Sequence, residues 1–595
     1  MLLENINSPK DLKILNYQEL SQLSSEIRTV LLQKLSTTGG HVAPNLGMVE
    51  VTIALHYVFN SPIDKIIYDV SHQSYVHKIL TGRKNAFLDP KNYHCVTGYT
   101  NQKESEHDFF TIGHTSTSLS LGCGLAKARD IKNTKENIIA VIGDGSLSGG
   151  EAYEGLNNIA ELNSNMIVIV NDNDMSIAEN HGGLYKNLKL LRETQGKASC
   201  NFFKSLGLDY IYIENGHDIP TLINEFEKIK DISHPIVVHI KTIKGKGYAP
   251  AEKDKETWHY NMPFDMETGK SKVSFSPQYD SLTAEYLLEE MKEDEKIVAV
   301  TSGTPAVFGF VEPLRKKAGK QFIDVGIAEE HAVAFSSALA SQGIKPVYGV
   351  YSTFIQRTYD QLSQDLCINK NPALILVFGG GLTFLNDVTH LGYFDIPVVS
   401  NIPNMVYLAP TTKEEYFAML DYGLKQTDYP MAIRVPSLGI ISSNKKIDID
   451  FSDINKYSVE EKGEKLAIVA LGDFFELGKE VKKELREKYN IDATLINPRF
   501  ITGLDKELLE SLKENHSLVI TLENGVLDGG FGEKITRFYS SSNMKVLNFG
   551  AKKEFTDRLT PEEVYTRNHL TKELIVEDIL KNLNWFKLKK IKNIL

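Results

Sequence analysis

The chain is short of cysteine, of positive charge and of long apolar runs, and each shortage closes off a class. Four cysteines, Cys95, Cys123, Cys200 and Cys367, are scattered through 595 residues with no Cys-x-x-Cys pair. That excludes a disulfide framework or cysteine-rich zinc site and leads us to expect reduced cytosolic thiols. The net charge of −11 argues against a broad nucleic-acid surface. No apolar run approaches the length of a membrane span. The opening MLLENINSPKDLKIL lacks the basic-then-apolar order of a signal peptide, so a cytoplasmic protein without membrane association is expected. The terminal WFKLKKIKNIL, residues 585–595, reads as a solvated amphipathic helix end rather than a surface anchor. What remains is globular in composition, 42% hydrophobic and 24% charged, and too long for one core.

Two polar clusters stand out against that background. Ile138-Ile139-Ala140-Val141-Ile142 runs into Gly143-Asp144-Gly145, and Met166-Ile167-Val168-Ile169-Val170 runs into Asn171-Asp172-Asn173-Asp174-Met175. Short β-branched runs read as buried parallel strands. Residues 149–162 between them have helical spacing, so the pattern is a βαβ unit with both clusters at carboxyl ends of neighbouring strands. Asp144 offers an anionic oxygen, Asn173 an amide oxygen and Met175 a backbone carbonyl, a donor set suited to Mg²⁺. Gly143 and Gly145 admit a diphosphate close to the backbone, at the start of a helix.

Elsewhere, residues 1–40 read as helical, and His41, His72 and His114 fall in loops near strand ends or helix starts. A further strand at 236–240 precedes Lys244-Gly245-Lys246-Gly247-Tyr248 and Trp258-His259. Residues 262–280 read as a linker, followed by strands near 296–300, 322–325, 347–350 and 374–378 and a third α/β unit from about 455. The expected architecture is α/β, with three doubly wound parallel-sheet domains at 1–275, 276–450 and 451–595.

The motifs GGHVAPNLGMVEVTIALHYVF, YDVSHQSYVHKILTGR, GHTSTSLS, VIGDG with NDNDMSIAEN, IKGKGYAPAEKD, DVGIAEEHAVAF, VYSTFIQRTYDQ and LENGVLDGGFGEKI resemble the 1-deoxy-D-xylulose-5-phosphate synthase family of transketolase-like thiamin diphosphate enzymes nearly end to end. The resemblance implies a homodimer with its site between the first two domains. Asp144, Asn173 and the Met175 carbonyl would hold Mg²⁺. His72, Gly113, His114, Thr115, Gly145, Ser146, Asn173 and Tyr248 would contact the cofactor. Glu329 would bond its aminopyrimidine ring, and Phe354 would stack on it. His41, His259 and His390 would join Glu329 in catalysis, their pKa values near the ordinary histidine range, with Tyr351, Arg357 and Arg434 toward substrate. The implied reaction joins pyruvate to D-glyceraldehyde 3-phosphate, releasing carbon dioxide and a precursor of isoprenoids and thiamin.

The departures fall on the acceptor side. Gly379 stands where the family carries an arginine that grips the acceptor phosphate, Ser437 where it carries a second, and Asn386 where it carries an aspartate. A segment that is long in the family is shortened between about residues 183 and 202. Three readings stay open: the family reaction with phosphate held by Arg434, Arg357 and the Gly379–Gly381 backbone; a paralogue using a different, unphosphorylated aldehyde or another donor; and a non-catalytic cofactor-binding protein. On this reading an arginine restored at 379 would strengthen phosphate binding.

Overall fold

The computed structural model describes residues 1–583 apart from 275–276, 385–386, 444–446 and 448–449. The helix end expected at 585–595 lies outside the described residues. The chain divides into two compact units, Met1–Ser276 with Val325–Ala328, and Pro277–Asp324 with Glu329–Leu595.

The first unit is built on five strands: β1 (Lys65–Tyr68), β2 (Ile138–Gly143), β3 (Met166–Asp172), β4 (Asp209–Ile213) and β5 (Pro235–Lys241). They lie in the order β1-β2-β3-β5-β4, and every pairing is parallel. The β-branched runs suit this because both sheet faces are buried. Ile139, Val141, Ile167 and Ile169 pack with the helices Tyr17–Thr38, Val49–Val58 and Ile219–Ile229. Their neighbours Ala140, Ile142, Val168 and Val170 pack with the helices Gly150–Ile159 and Gly183–Glu193. Alternation along one strand thus feeds two cores.

Residues 1–40 are not helical throughout. Two 3₁₀ turns, Leu2–Asn5 and Pro9–Ile14, precede the helix Tyr17–Thr38. Asn16 sets that boundary, accepting from the Gln18 and Glu19 N–H groups, while Glu19 accepts in return from the Asn16 N–H.

The second unit carries two sheets. Strands β6 (Ile297–Thr301), β7 (Phe322–Asp324), β8 (Lys345–Tyr351), β9 (Leu374–Phe378), β10 (Val406–Leu408) and β11 (Met431–Arg434) form an all-parallel sheet ordered β10-β11-β9-β8-β6-β7. Strands β12 (Ser458–Glu461), β13 (Lys465–Ala470), β14 (Thr494–Asn497), β15 (His516–Val526) and β16 (Lys545–Ala551) form another, ordered β12-β14-β13-β15-β16. Here the purely parallel expectation needs one correction: β12 runs antiparallel to β14 at the edge. An edge strand has one partner only, and α/β sheets commonly close this way. No helix among the described residues is long and apolar enough to cross a membrane.

A buried ion pair locks the first unit's long helix to the loop after β5. Arg28 forks onto Glu50 through Nη1 (2.5 Å) and Nη2 (2.6 Å), and its Nε donates to the Lys246 carbonyl. His217 accepts from the Ile243 N–H at Nε2, so its Nδ1 carries the proton given to Glu50 at 2.9 Å. Burial alone would raise the Glu50 carboxyl, but His217 and Arg28 outweigh it and hold it down to about 2. A lowered folded-state value contributes stability above the ordinary glutamate range and loses it as pH falls toward about 2. Glu50→Gln is therefore expected to lower unfolding free energy by about 3 kcal/mol at pH 7. In denaturant titrations the gap should narrow between pH 4.5 and 2, and a pH-independent gap would refute the charge pairing.

Candidate active site

Because the first sheet is parallel, the carboxyl ends of β1, β2, β3 and β5 open on one edge, with Gly143 level with Asn171 and Asp172 level with Lys241. Asp144 follows β2 and is buried. Its Oδ2 accepts from the Met175 N–H (3.0 Å) and from Asn180 Nδ2 (2.8 Å). Burial, reinforced by the nearby Asp172 carboxylate, raises the Asp144 carboxyl. Two further oxygens beside it, Asn173 Oδ1 and Asn180 Oδ1, are buried without a hydrogen-bond partner. An uncompensated acid beside orphaned amide oxygens is a donor set that fits a hard divalent cation. The backbone at Gly145 runs so close to Ser176 that a Cβ there would stand 2.7 Å from its Oγ, which is why this turn needs glycine.

Asp172 differs from Asp144 in being fully paired. It accepts both oxygens' worth of hydrogen bonds from Arg192 (2.8 and 2.6 Å) and one from His239 Nε2 at 2.7 Å. Burial opposes its charge, but these partners hold its carboxyl below the usual range. Arg192 comes from the helix Gly183–Glu193, whose Tyr185 hydroxyl also donates to the Gly145 carbonyl. The shortened 183–202 segment is thus an ordered brace under both polar clusters.

The histidine loops are held by buried polar anchors. At the end of β1, Val70 and Ser71 adopt left-handed backbone with φ of 56° and 66°, a costly conformation for a β-branched residue. Asp69 holds it in place, accepting from the Ser116 and Ser118 N–H groups at 2.8 and 3.0 Å. This fixes the Gly113-His114-Thr115 loop against the strand end. Gly40 and Asn261 exchange two backbone hydrogen bonds, and the Ala43 N–H donates to the Trp258 carbonyl. Three imidazoles converge as a result. Ring centroids lie 4.9 Å apart for His41 and His72, 5.1 Å for His72 and His259, and 5.6 Å for His41 and His259. Tyr99 and Tyr260 pack edge-on to His41. Burial, then the charge of Lys244, holds His259 well below the ordinary histidine value. Lys244 itself is lowered to about 7 by burial, and its Nζ donates to the Ser176 carbonyl.

In the second unit, Glu329 opens the helix Glu329–Ser341 and is buried, with its Oε2 lacking a hydrogen-bond partner. Burial pushes its carboxyl up to about 7, against the opposing charge of Arg357, whose Nη1 lies 3.9 Å away. Phe354 lies 5.8 Å from the His390 ring and 5.9 Å from Tyr351. Burial lowers His390 to about 4.

Comparison with known proteins follows this geometry. Residues 3–201 and 193–242 match the family model described as 1-deoxy-D-xylulose-5-phosphate synthase. Residues 276–438 match that of the transketolase pyrimidine-binding domain, and 455–575 that of the transketolase C-terminal domain. The 1-deoxy-D-xylulose-5-phosphate synthase of Caldanaerobacter subterraneus subsp. tengcongensis is 39% identical over 97% of this chain and 99% of that one. That of Shouchella clausii is 39% identical over 98% and 99%. A transketolase crystal structure from Campylobacter jejuni, 17% identical, covers 95% of this chain and 100% of that one with a TM-score of 0.44. The chain belongs to the 1-deoxy-D-xylulose-5-phosphate synthase family.

Within that family's pattern, the structure departs from several sequence-based expectations. Tyr248 is a core residue: its ring packs on Trp258 and Phe264, and its hydroxyl donates to the Met266 carbonyl. Arg434, expected to face substrate, forks onto the buried Asp395 at 2.7 and 3.0 Å and donates to the Asn524 carbonyl. It braces β11 against β15. His259 and His390 are not poised near neutrality, because burial favours their uncharged forms. Gly379 has φ +67°, and a Cβ there would stand 2.6 Å from the Phe384 ring and 3.3 Å from Tyr351. The Phe384 ring therefore occupies the space an arginine at 379 would need, so restoring one would displace that ring and strain a left-handed backbone. Ser437 is tied to the Gly380 carbonyl (2.7 Å) and to Asp473 (2.9 Å). Asn386 lies outside the described residues. Sequence reading missed Asn45, Asp69, Asn180, Lys244, Tyr99 and Tyr260. Of these, only Asn180, five residues after Met175 in the same polar run, carried a local signal.

Arg192→Leu would leave the buried Asp172 with His239 and the Asp174 N–H but no guanidinium. A loss of about 3 kcal/mol in unfolding free energy is expected. A change below about 0.5 kcal/mol, the scale of an ordinary surface substitution, would show that the brace carries no stability.

Proposed function

We propose that the chain catalyses the thiamin diphosphate-dependent condensation of pyruvate with D-glyceraldehyde 3-phosphate, giving 1-deoxy-D-xylulose 5-phosphate and carbon dioxide. The observation that carries this reading is a set of buried oxygens without hydrogen-bond partners, Asn173 Oδ1 and Glu329 Oε2, at two positions the family pattern assigns to the cofactor. When bound, thiamin diphosphate supplies the nucleophilic carbon and the electron sink for decarboxylation. Asp144, Asn173 and the Met175 carbonyl would hold Mg²⁺ and, through it, the diphosphate. His72, Gly113, His114, Thr115, Gly145 and Ser146 would line the same end. Glu329 would share a proton with the aminopyrimidine ring, and its raised value suits a carboxyl that must exist in both forms near neutral pH. Phe354 would support that ring. His259 and His390, which burial keeps uncharged, and His41 would exchange hydrogen bonds with the substrate's oxygens, alongside Tyr351 and Arg357. A homodimer in the cytoplasm belongs to the same reading.

Gly379, Phe384 and Ser437 support a second reading in which the aldehyde carries no phosphate. One assay separates the two. Purified protein with labelled pyruvate, Mg²⁺ and thiamin diphosphate is expected to yield deoxyxylulose phosphate when D-glyceraldehyde 3-phosphate is added. Carbon dioxide without that product would favour the second reading, and no carbon dioxide would reject both. Glu329→Ala is expected to leave cofactor binding intact by calorimetry and to slow carbon dioxide release by about 100-fold or more. Near-normal release would remove Glu329 from the chemistry.

A further inference from the structure

His41 and His72 belong to different parts of the chain, one before the helix Val42–Gly47 and one after β1, yet their rings lie 4.9 Å apart. The Asn45 side chain joins the two backbones, beside a longer contact from the His41 N–H to the Tyr75 hydroxyl at 3.5 Å. Asn45 is fully buried. Its Nδ2 donates to the His41 carbonyl at 2.7 Å and to the His72 carbonyl at 2.8 Å. Its Oδ1 accepts from the Tyr75 N–H at 2.9 Å. Both of its N–H donors and its oxygen are thus spent on backbone that carries, or follows, a histidine of the cluster.

We propose that Asn45 is a positioning residue that sets the spacing of the His41 and His72 imidazoles. The chemistry of the side chain selects it. A carboxamide presents two N–H donors and an acceptor in one plane, the pattern these two carbonyls and one N–H require. Aspartate keeps the acceptor but offers no donor, and would place a carboxylate against two carbonyl oxygens. Serine is too short to span them. The His72 carbonyl lies in a turn and the His41 carbonyl at the N-cap of a short helix, so losing the amide removes the shortest hydrogen bonds that couple the two segments. The Gly40–Asn261 pairing would still hold His41 toward His259. The variant should therefore open the His41–His72 spacing rather than dismantle the pocket.

A purely structural role would lower stability and activity together, so the test separates them. Asn45→Ser and Asn45→Asp are compared with Val51→Ala, a core truncation in the helix Val49–Val58 outside the site. The kinetic arm rests on the function proposed above. With pyruvate and D-glyceraldehyde 3-phosphate, kcat of the Asn45 variants is expected to fall about 100-fold, the scale of an ångström's misplacement. Half-saturation by thiamin diphosphate should stay within about threefold, and Val51→Ala should keep kcat within about threefold. The second arm is independent of that function. In cofactor-free protein labelled at histidine ring carbons, the His41 and His72 resonances should shift in either Asn45 variant and remain in place in Val51→Ala. Wild-type-like kcat in a folded Asn45 variant, or an equal kcat loss in Val51→Ala at matched thermal stability, would overturn the proposal. If the wild type makes no product, unmoved His41 and His72 resonances overturn it alone, and failure of both Asn45 variants to fold assigns the residue to stability instead.

Discussion

A buried carboxylate with no ion pair among the described residues, only the more remote charge of Lys244, governs the first unit. Asp144 sits at the carboxyl end of β2, and burial and Asp172 both oppose its charge. The neighbouring acid was neutralised by the protein: Asp172 has Arg192 and His239. Asp144 has hydrogen bonds from an amide and a backbone N–H and the charge of Lys244, with two orphaned amide oxygens beside it. A fold tolerates such an arrangement when something else supplies the positive charge. The surrounding architecture positions that carboxylate. The parallel sheet levels the strand ends, Asp69 holds the strained β1 exit, and the helix Gly183–Glu193 braces the two polar clusters from below.

Much of this was legible in sequence because parallel strands advertise themselves. Residues 138–142, 166–170, 236–240 and 374–378 are buried on both faces, and their runs are apolar without alternation. The GDG and NDN clusters follow such runs, so their placement was legible too. The strands that escaped notice are of other kinds. β4, with the sequence DYIYI, is a partly exposed edge strand rich in tyrosine, and β10 and β11 are only three and four residues long. β12 is antiparallel and largely exposed, and β16, KVLNFGA, is buried only over its last three residues. None presents a long β-branched run.

Side-chain roles were less legible than positions. Arg434 and Tyr248 occupy motif positions, yet their polar atoms are spent on Asp395, Asn524 and Met266. Nothing local to either residue announces those partners, which lie 39 and 90 residues from Arg434 along the chain. The same holds for Asn45, whose partners come from two segments, at His41 and at His72 to Tyr75. Titration behaviour was hidden for a related reason, since burial moves His259 and His390 down and Glu329 up, and burial is a property of the fold. The acceptor side shows the converse. The absence of arginine at 379 is plain in sequence, but only the structure places Phe384 in the space and gives the glycine a positive φ.

The central claim is that the orphaned oxygens beside Asp144 await a divalent cation. Crystals grown with thiamin diphosphate and Mn²⁺ in place of Mg²⁺ test it most directly, because manganese scatters anomalously. The account predicts one anomalous peak within bonding distance of the Asp144 carboxylate, Asn173 Oδ1 and the Met175 carbonyl. A bound cofactor with no peak there, or with its metal on other residues, would contradict it.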